Sequence, residues 1–284
     1  MISFTDASAQ FNNYLTKKGK ASATILAYTN DISQLAKFLV QKGLTVVSSV
    51  NADLLDQFKT ELANQKYTAK SISRKINSIK TYFRFLKDEQ LIDSDPAISV
   101  SHPKYEVKPP RILSKTEYRA LRDACRSDNR VYAIVELMLQ TGVRIGEVAN
   151  LRMEDLKTDE IYIQPFESHL GRTIPLNQAA KDALKRYLGE RPTIGGKAVF
   201  ITKTGRPFLI RNIRSSIERY FEIAEVKDTK VNDLRHTWIF HHLSAGTPLV
   251  VISKLAGHKR LSTTEKYLSM ITDRKESPVK LEEL

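Results

Sequence analysis

The 284-residue chain has a single cysteine, Cys125, so it forms no internal disulfide and no cysteine metal cluster. It has no stretch approaching the ~20 consecutive apolar residues of a membrane-spanning helix. The opening residues, Met1-Ile-Ser-Phe-Thr-Asp6, lack the basic-then-apolar pattern of a secretory signal. A cytoplasmic protein with no membrane partner is the resulting expectation, nucleoid-associated if the source is prokaryotic. Acidic residues are also short. Against 45 Lys and Arg there are 32 Asp and Glu, a net charge of +13, and a balance this basic points to a polyanion such as nucleic acid. Lys and Arg lead 14 to 10 in residues 1–106 and 31 to 22 in the remainder, so both halves are expected to touch it.

A hydrophobic content of 41% supports true cores, and the length suggests two domains. Residues 1–93 read as four helices. Ser22 is expected to cap one carrying Ile25, Tyr28, Ile32, Leu35 and Leu39, with Gly43 as its stop, and Asn51 to cap the next. Between Leu62 and Lys87 stand seven basic residues and no Asp or Glu. Helical spacing there aligns Ile72, Ile76, Ile79, Phe83 and Leu86 in one apolar stripe. Lys70, Arg74 and Arg84 project from the far side, with Lys80 and Lys87 flanking the stripe. That face suits the phosphates of DNA. The prolines of residues 94–111 break periodicity and mark a linker. Residues 112–284 read as a second, mainly helical domain, entered through a capping box at Ser114-Lys-Thr-Glu117. It carries a hairpin around Ile161–Ile163 and Thr173–Leu176, with Ala198–Thr202 as a candidate third strand. The fold class is therefore mainly α with a small antiparallel β-sheet.

Three stretches of this second domain hold the polar groups suited to chemistry: Thr141-Gly-Val-Arg144-Ile-Gly-Glu147, Asn232-Asp-Leu-Arg235-His236, and Gly257-His258 with Tyr267 nine residues on. Two guanidiniums grip the non-bridging oxygens of a phosphodiester and stay charged at any relevant pH. A tyrosine hydroxyl is a nucleophile once a positive field and a hydrogen-bond partner assist it. A histidine supplies such a partner. His236, His241 and His242 have no zinc spacing, Trp238 and Phe240 read as core, and Ser262 with Glu265 reads as a capping box for a helix bearing Tyr267.

These stretches resemble the three boxes of the tyrosine recombinase (phage integrase) family, in the family's order and spacing, and the resemblance extends over essentially the whole chain. It is greatest to the short Xer-type members, which lack an extra arm-binding domain. It implies an N-terminal helical, SAM-like core-binding domain and a C-terminal catalytic domain that clamp double-stranded DNA. Arg144 and Arg235 would hold the scissile phosphate, His258 would assist, and Tyr267 would form a 3′-phosphotyrosyl link inside a tetramer, with no metal, ATP or other cofactor. The tail from Asp273 to Leu284 would dock on a neighbouring protomer. Two positions depart from the pattern. Asn232 stands where the family has a histidine, leaving a hydrogen-bond donor that cannot exchange a proton at neutral pH. The family's hairpin lysine is missing: its slot falls near Glu167, and no lysine occurs between Lys157 and Lys181. Arg172 and Lys203 are the nearest cations that could stand in. A DNA-binding protein of this fold with weak cleavage, or none, is the competing expectation.

Overall fold

The computed structural model describes residues 2–165, 170–193 and 196–271, and the chain divides into two compact units between Val107 and Lys108.

The first unit holds four helices, α1 (Phe4–Lys17), α2 (Ser22–Gln41), α3 (Ala52–Asn64) and α4 (Ala69–Asp88). Their starts follow local capping chemistry: the side chains of Ser3, Asn51 and Thr68 accept from the backbone N–H groups of Asp6, Leu54 and Ser71. Ser22 does not cap α2. It is the first helical residue, and Ala21 ahead of it makes no side-chain bond. All five residues of the expected α4 stripe are buried, and so are Tyr82 and Phe85. Helices pack on both flanks of the stripe, which narrows the exposed face to a line through Lys70, Arg74, Asn77, Arg84 and Lys87. Ala97 and Val100, from the proline-marked segment, also join this core.

The second unit runs α5 (Lys115–Ala124), α6 (Asn129–Thr141), α7 (Ile145–Ala149), β1 (Glu160–Ile163), β2 (Arg172–Pro175), α8 (Gln178–Glu190), α9 (Ile210–Ile223), α10 (Val231–Ser244), α11 (Leu249–Ala256) and α12 (Ser262–Glu265). Strands β1 and β2 pair antiparallel, with Ile161 opposite Ile174 and Ile163 opposite Arg172. Residues 198–202 form no third strand. Ala198 and Ile201 make only isolated bridges, to Arg152 and Pro207, and Pro207 has no N–H to extend a ladder. Buried α6 lies against α8, α9 and α10. A smaller cluster of Trp238, Ile239, Leu243, Ile252, Ala256 and Tyr267 joins α10 and α11 to the segment that follows. Ser262 does not cap. It begins a four-residue helix whose N-cap is Leu261, and Tyr267 sits in the turn beyond that helix rather than on it.

Candidate active site

The site is assembled on the C-terminal end of α11. The last carbonyls of a helix have no intrahelical partner and carry the negative end of its dipole, so they attract cations. Here three successive carbonyls each receive a different arginine. Leu255 O accepts from Arg172 Nε at 2.6 Å, Ala256 O from Arg235 Nη2 at 2.6 Å, and Gly257 O from Arg144 Nη2 at 3.1 Å. Arg144 Nη1 also reaches Ala256 O at 3.3 Å, so the guanidiniums of Arg144 and Arg235 meet at one oxygen.

Each arginine is delivered by a local device. Helix α6 ends at Gly142 with φ of +64°, and a Cβ there would lie 2.2 Å from the Trp238 ring. Only glycine fits, and the turn throws Arg144 to the N-cap of α7. Arg235, on α10, is almost fully buried and also donates to the Gly142 carbonyl. Arg172 opens β2 and faces Gly257, where a Cβ would meet its guanidinium at 2.8 Å.

Glu147 is the counter-charge. It accepts from both Arg172 Nη groups at 2.8 Å, from Arg144 Nη1 at 2.9 Å and from the Arg144 backbone N–H at 2.8 Å. Burial alone would raise its pKa, but Arg172 and Arg144 overcome that and hold it at about 2. One carboxylate against three guanidiniums leaves the pocket positive. Burial, reinforced by Arg144, brings Arg235 down to about 9, which keeps it charged at neutral pH.

His258 and Tyr267 complete the set. His258 Nδ1 lies 2.7 Å from Thr264 Oγ1, leaving Nε2 free of that bond. Burial and then the arginines push its pKa to about 3, so the ring is neutral. Tyr267 is only 5% exposed. Burial lifts its hydroxyl to about 12, against the opposing pull of Arg235 and Arg144. Its Oη lies 2.5 Å from His236 Nδ1, and His236 Nε2 lies 2.8 Å from the Asn232 amide nitrogen. Arg144, Arg235, His258 and Tyr267 therefore share one pocket, with Asn232 at its edge through His236.

Sequence reasoning missed two participants, Glu147 and His236. Glu147 was visible only as part of a motif, and its partner Arg172, expected only as a stand-in cation, comes from the hairpin. Arg172 directs its donors to Glu147 and Leu255 O, so it forms the wall of the pocket. His236 carried one usable signal, its spacing of four residues from Asn232 on one helix face. The hairpin slot at Glu167 and the tail from Asp273 lie outside the described residues, and Lys203 is exposed on a turn. Among the described residues no group of three or more His, Cys, Asp or Glu is placed to hold a metal ion, and no helix is long and apolar enough to cross a membrane.

In the first unit, Lys70, Arg74, Arg84 and Lys87 are exposed, while Lys80 is partly buried with Nζ 3.3 Å from Ile98 O. The basic helix is not free of acid. Arg74 forms a two-pronged pair with Asp31 of α2, at 2.6 and 2.8 Å, and Lys75 and Ser78 also bond Asp31. The carboxylate missing from residues 62–87 comes from a neighbour in space.

The Phage integrase family profile matches residues 111–273 and that of the phage integrase N-terminal SAM-like domain matches residues 9–90: the chain belongs to the phage integrase family of tyrosine recombinases. It is 30% identical to the tyrosine recombinase XerC of Thermodesulfovibrio yellowstonii, over 90% of this chain and 88% of that one. The fold is shared with the Tn1549 transposon integrase in complex with transposon right end DNA (TM-score 0.80, 17% identity, 94% of each chain). It is shared too with a lambda integrase tetramer bound to a Holliday junction (TM-score 0.75, 16% identity, 92% of this chain and 78% of that one).

Proposed function

We propose that this chain is a site-specific DNA recombinase that cuts and rejoins strands through Tyr267. The observation that carries the reading is the convergence of Arg144 and Arg235 on the Ala256 carbonyl, with His258 and Tyr267 in the same positive pocket. Two guanidiniums so placed neutralise the charge that builds on a phosphodiester under attack. Tyr267 Oη gives up its proton and bonds to phosphorus, the bond to the 5′ oxygen breaks and that oxygen takes up a proton to leave as a hydroxyl, and the DNA 3′ end is left joined to the tyrosine. Return of a 5′-hydroxyl reverses the step, so the bond energy is retained and no ATP or metal is required. Tyr267, near pKa 12 with Arg235 and Arg144 already beside it, keeps its proton at neutral pH, so that proton leaves as the bond to phosphorus forms. With Nδ1 accepting from the Thr264 hydroxyl, the neutral ring of His258 donates to a phosphate oxygen through Nε2–H.

Lys70, Arg84 and Lys87, with Arg74 anchored by Asp31, form the DNA face of the first unit, and Lys80 contributes from its flank. Duplex DNA and further copies of the chain are the partners, in a tetramer like that named for lambda integrase, with the tail from Asp273 as one means of contact. A second reading is supported by Asn232 and by the lack of lysine between Lys157 and Lys181: a protein that binds DNA and cleaves it slowly, for want of a proton donor to the leaving oxygen.

The test uses duplexes of the sequence that the protein itself selects from a random pool, with either oxygen or sulfur at the bridging 5′ position. A covalent adduct lost in Tyr267→Phe is expected on both. An adduct only with sulfur, which leaves without protonation, selects the second reading. No adduct on either rejects the recombinase.

A further inference from the structure

Asn232 occupies the position of a missing histidine, yet its amide does not point into empty space. Its nitrogen lies 2.8 Å from His236 Nε2, one helical turn along α10, and the opposite ring nitrogen lies 2.5 Å from Tyr267 Oη. An amide nitrogen is a donor with no lone pair to offer. It makes this contact only with an unprotonated Nε2, so the imidazole is neutral and its single proton sits on Nδ1. That proton is then donated to the tyrosine oxygen. The chemistry of a side-chain amide thus fixes the tautomer of the ring beside it.

We infer that His236 is a catalytic residue that donates an Nδ1–H hydrogen bond to the Tyr267 oxygen, and that Asn232 is a positioning residue that holds His236 in that tautomer. The inference rests on the reading of Tyr267 as nucleophile and adds to it a partner for the reacting atom. A hydrogen bond received by Oη is stronger for the phenolate than for the phenol. It therefore favours the ionised nucleophile, and it turns a lone pair toward the site of attack. His236 remains unprotonated in this role: burial lowers its pKa, Asp233 opposes and Arg235 adds to the lowering. Besides Tyr267 and Asn232, the charged or titratable groups around it are Asp233 and Arg235 on its own helix and His258 from beyond α11.

The experiment has two arms. In the first, long-range proton–nitrogen spectra of the full-length, histidine-labelled protein report the tautomer, with the His236 signal assigned by its loss in His236→Gln. The expected result is a protonated Nδ1 and a bare Nε2 that loses its preference in Asn232→Leu. A protonated Nε2 in the wild type overturns the inference. The second arm measures single-turnover cleavage on the sulfur-bridged duplex across pH, with thermal unfolding as the control for folding. His236→Ala is expected to slow adduct formation roughly 10- to 100-fold and to move the rise in rate toward higher pH by about one unit per tenfold lost. His236→Gln, whose amide still donates, is expected to recover part of the rate. Unchanged cleavage in His236→Ala overturns the inference as well. If the wild type forms no adduct, or forms one that survives Tyr267→Phe, the nucleophile reading fails instead, and the tautomer spectrum still decides the Asn232–His236 link.

Discussion

Two buried carboxylates, Asp31 in the first unit and Glu147 in the second, solve the same problem with different outcomes. Each is almost fully buried and each holds two cations: Arg74 and Lys75 at Asp31, Arg172 and Arg144 at Glu147. At Asp31 the arginine remains 49% exposed along its side chain. At Glu147 the exposures are 25% for Arg144 and 7% for Arg172, and the guanidiniums are further tied to the carbonyls that end α11. Asp31 props an arginine on a surface where salt and water still compete. Glu147 locks its arginines into a pocket whose charge is set before any phosphate arrives. On the proposed function, an acid close to a phosphate site need not repel the ligand, because it sets the positions of the arginines that would bind it.

The largest expected effect lies at Glu147. Glu147→Ala leaves Arg172 buried without a counter-ion and should cost about 3–5 kcal/mol in urea unfolding. Asp31→Ala should cost less, about 2–3 kcal/mol, because Arg74 can return to water while Lys75 cannot. Equal losses at the two sites would remove the distinction drawn between them. Gly142→Ala comes next, at about 2 kcal/mol or more, since the new methyl overlaps the Trp238 ring and the backbone is left-handed there. The Glu147 pair also has a pH signature. Its folded pKa, about 2, lies below the ordinary value of about 4.3, so its stabilisation is present above the ordinary value and lost as pH falls toward 2. The stability gap between wild type and Glu147→Gln should therefore narrow between pH 5 and pH 2. A constant gap would mean that the pair is not ionised as described. The smallest effect on stability is expected for Lys70→Ala, Arg84→Ala and Lys87→Ala combined, roughly 1 kcal/mol or less. The same variant should reduce the slope of log affinity for duplex DNA against log salt by about 2–3. An unchanged slope would take the α4 face off the DNA.

Much of this molecule was legible in its sequence because the signals were local. Successive members of the α4 stripe, the caps at Asn51 and Ser114 and the glycine stop at 43 each depend on residues within a turn of one another. The three motif stretches that supply Arg144, Arg235, His258 and Tyr267 are nearly as short-range, the longest step being the nine residues from His258 to Tyr267. What escaped was long-range. Arg172 meets Glu147 across 25 positions and Asp31 meets Arg74 across 43, and no periodicity encodes such pairs. Helix α8 has only a modest apolar face, Ala180, Ala183, Leu184 and Tyr187, and is separated from strand β2 by two residues, marked only by Pro175 and the Asn177 cap. The expected cap at Ser262 failed because the chain enters that short helix one residue earlier, with Leu261 already helical. His236 looked ordinary because neither of its partners is meaningful until α10 and the turn holding Tyr267 are folded together.

The most direct measurement is mass spectrometry of the protein digested after reaction with a sulfur-bridged duplex of its selected sequence. The expected result is a nucleotide joined through a 3′ phosphate to the peptide that contains Tyr267, absent when Arg144 or Arg235 is replaced by alanine. A covalent link on any other residue, or one that persists without either arginine, would contradict the account of this pocket.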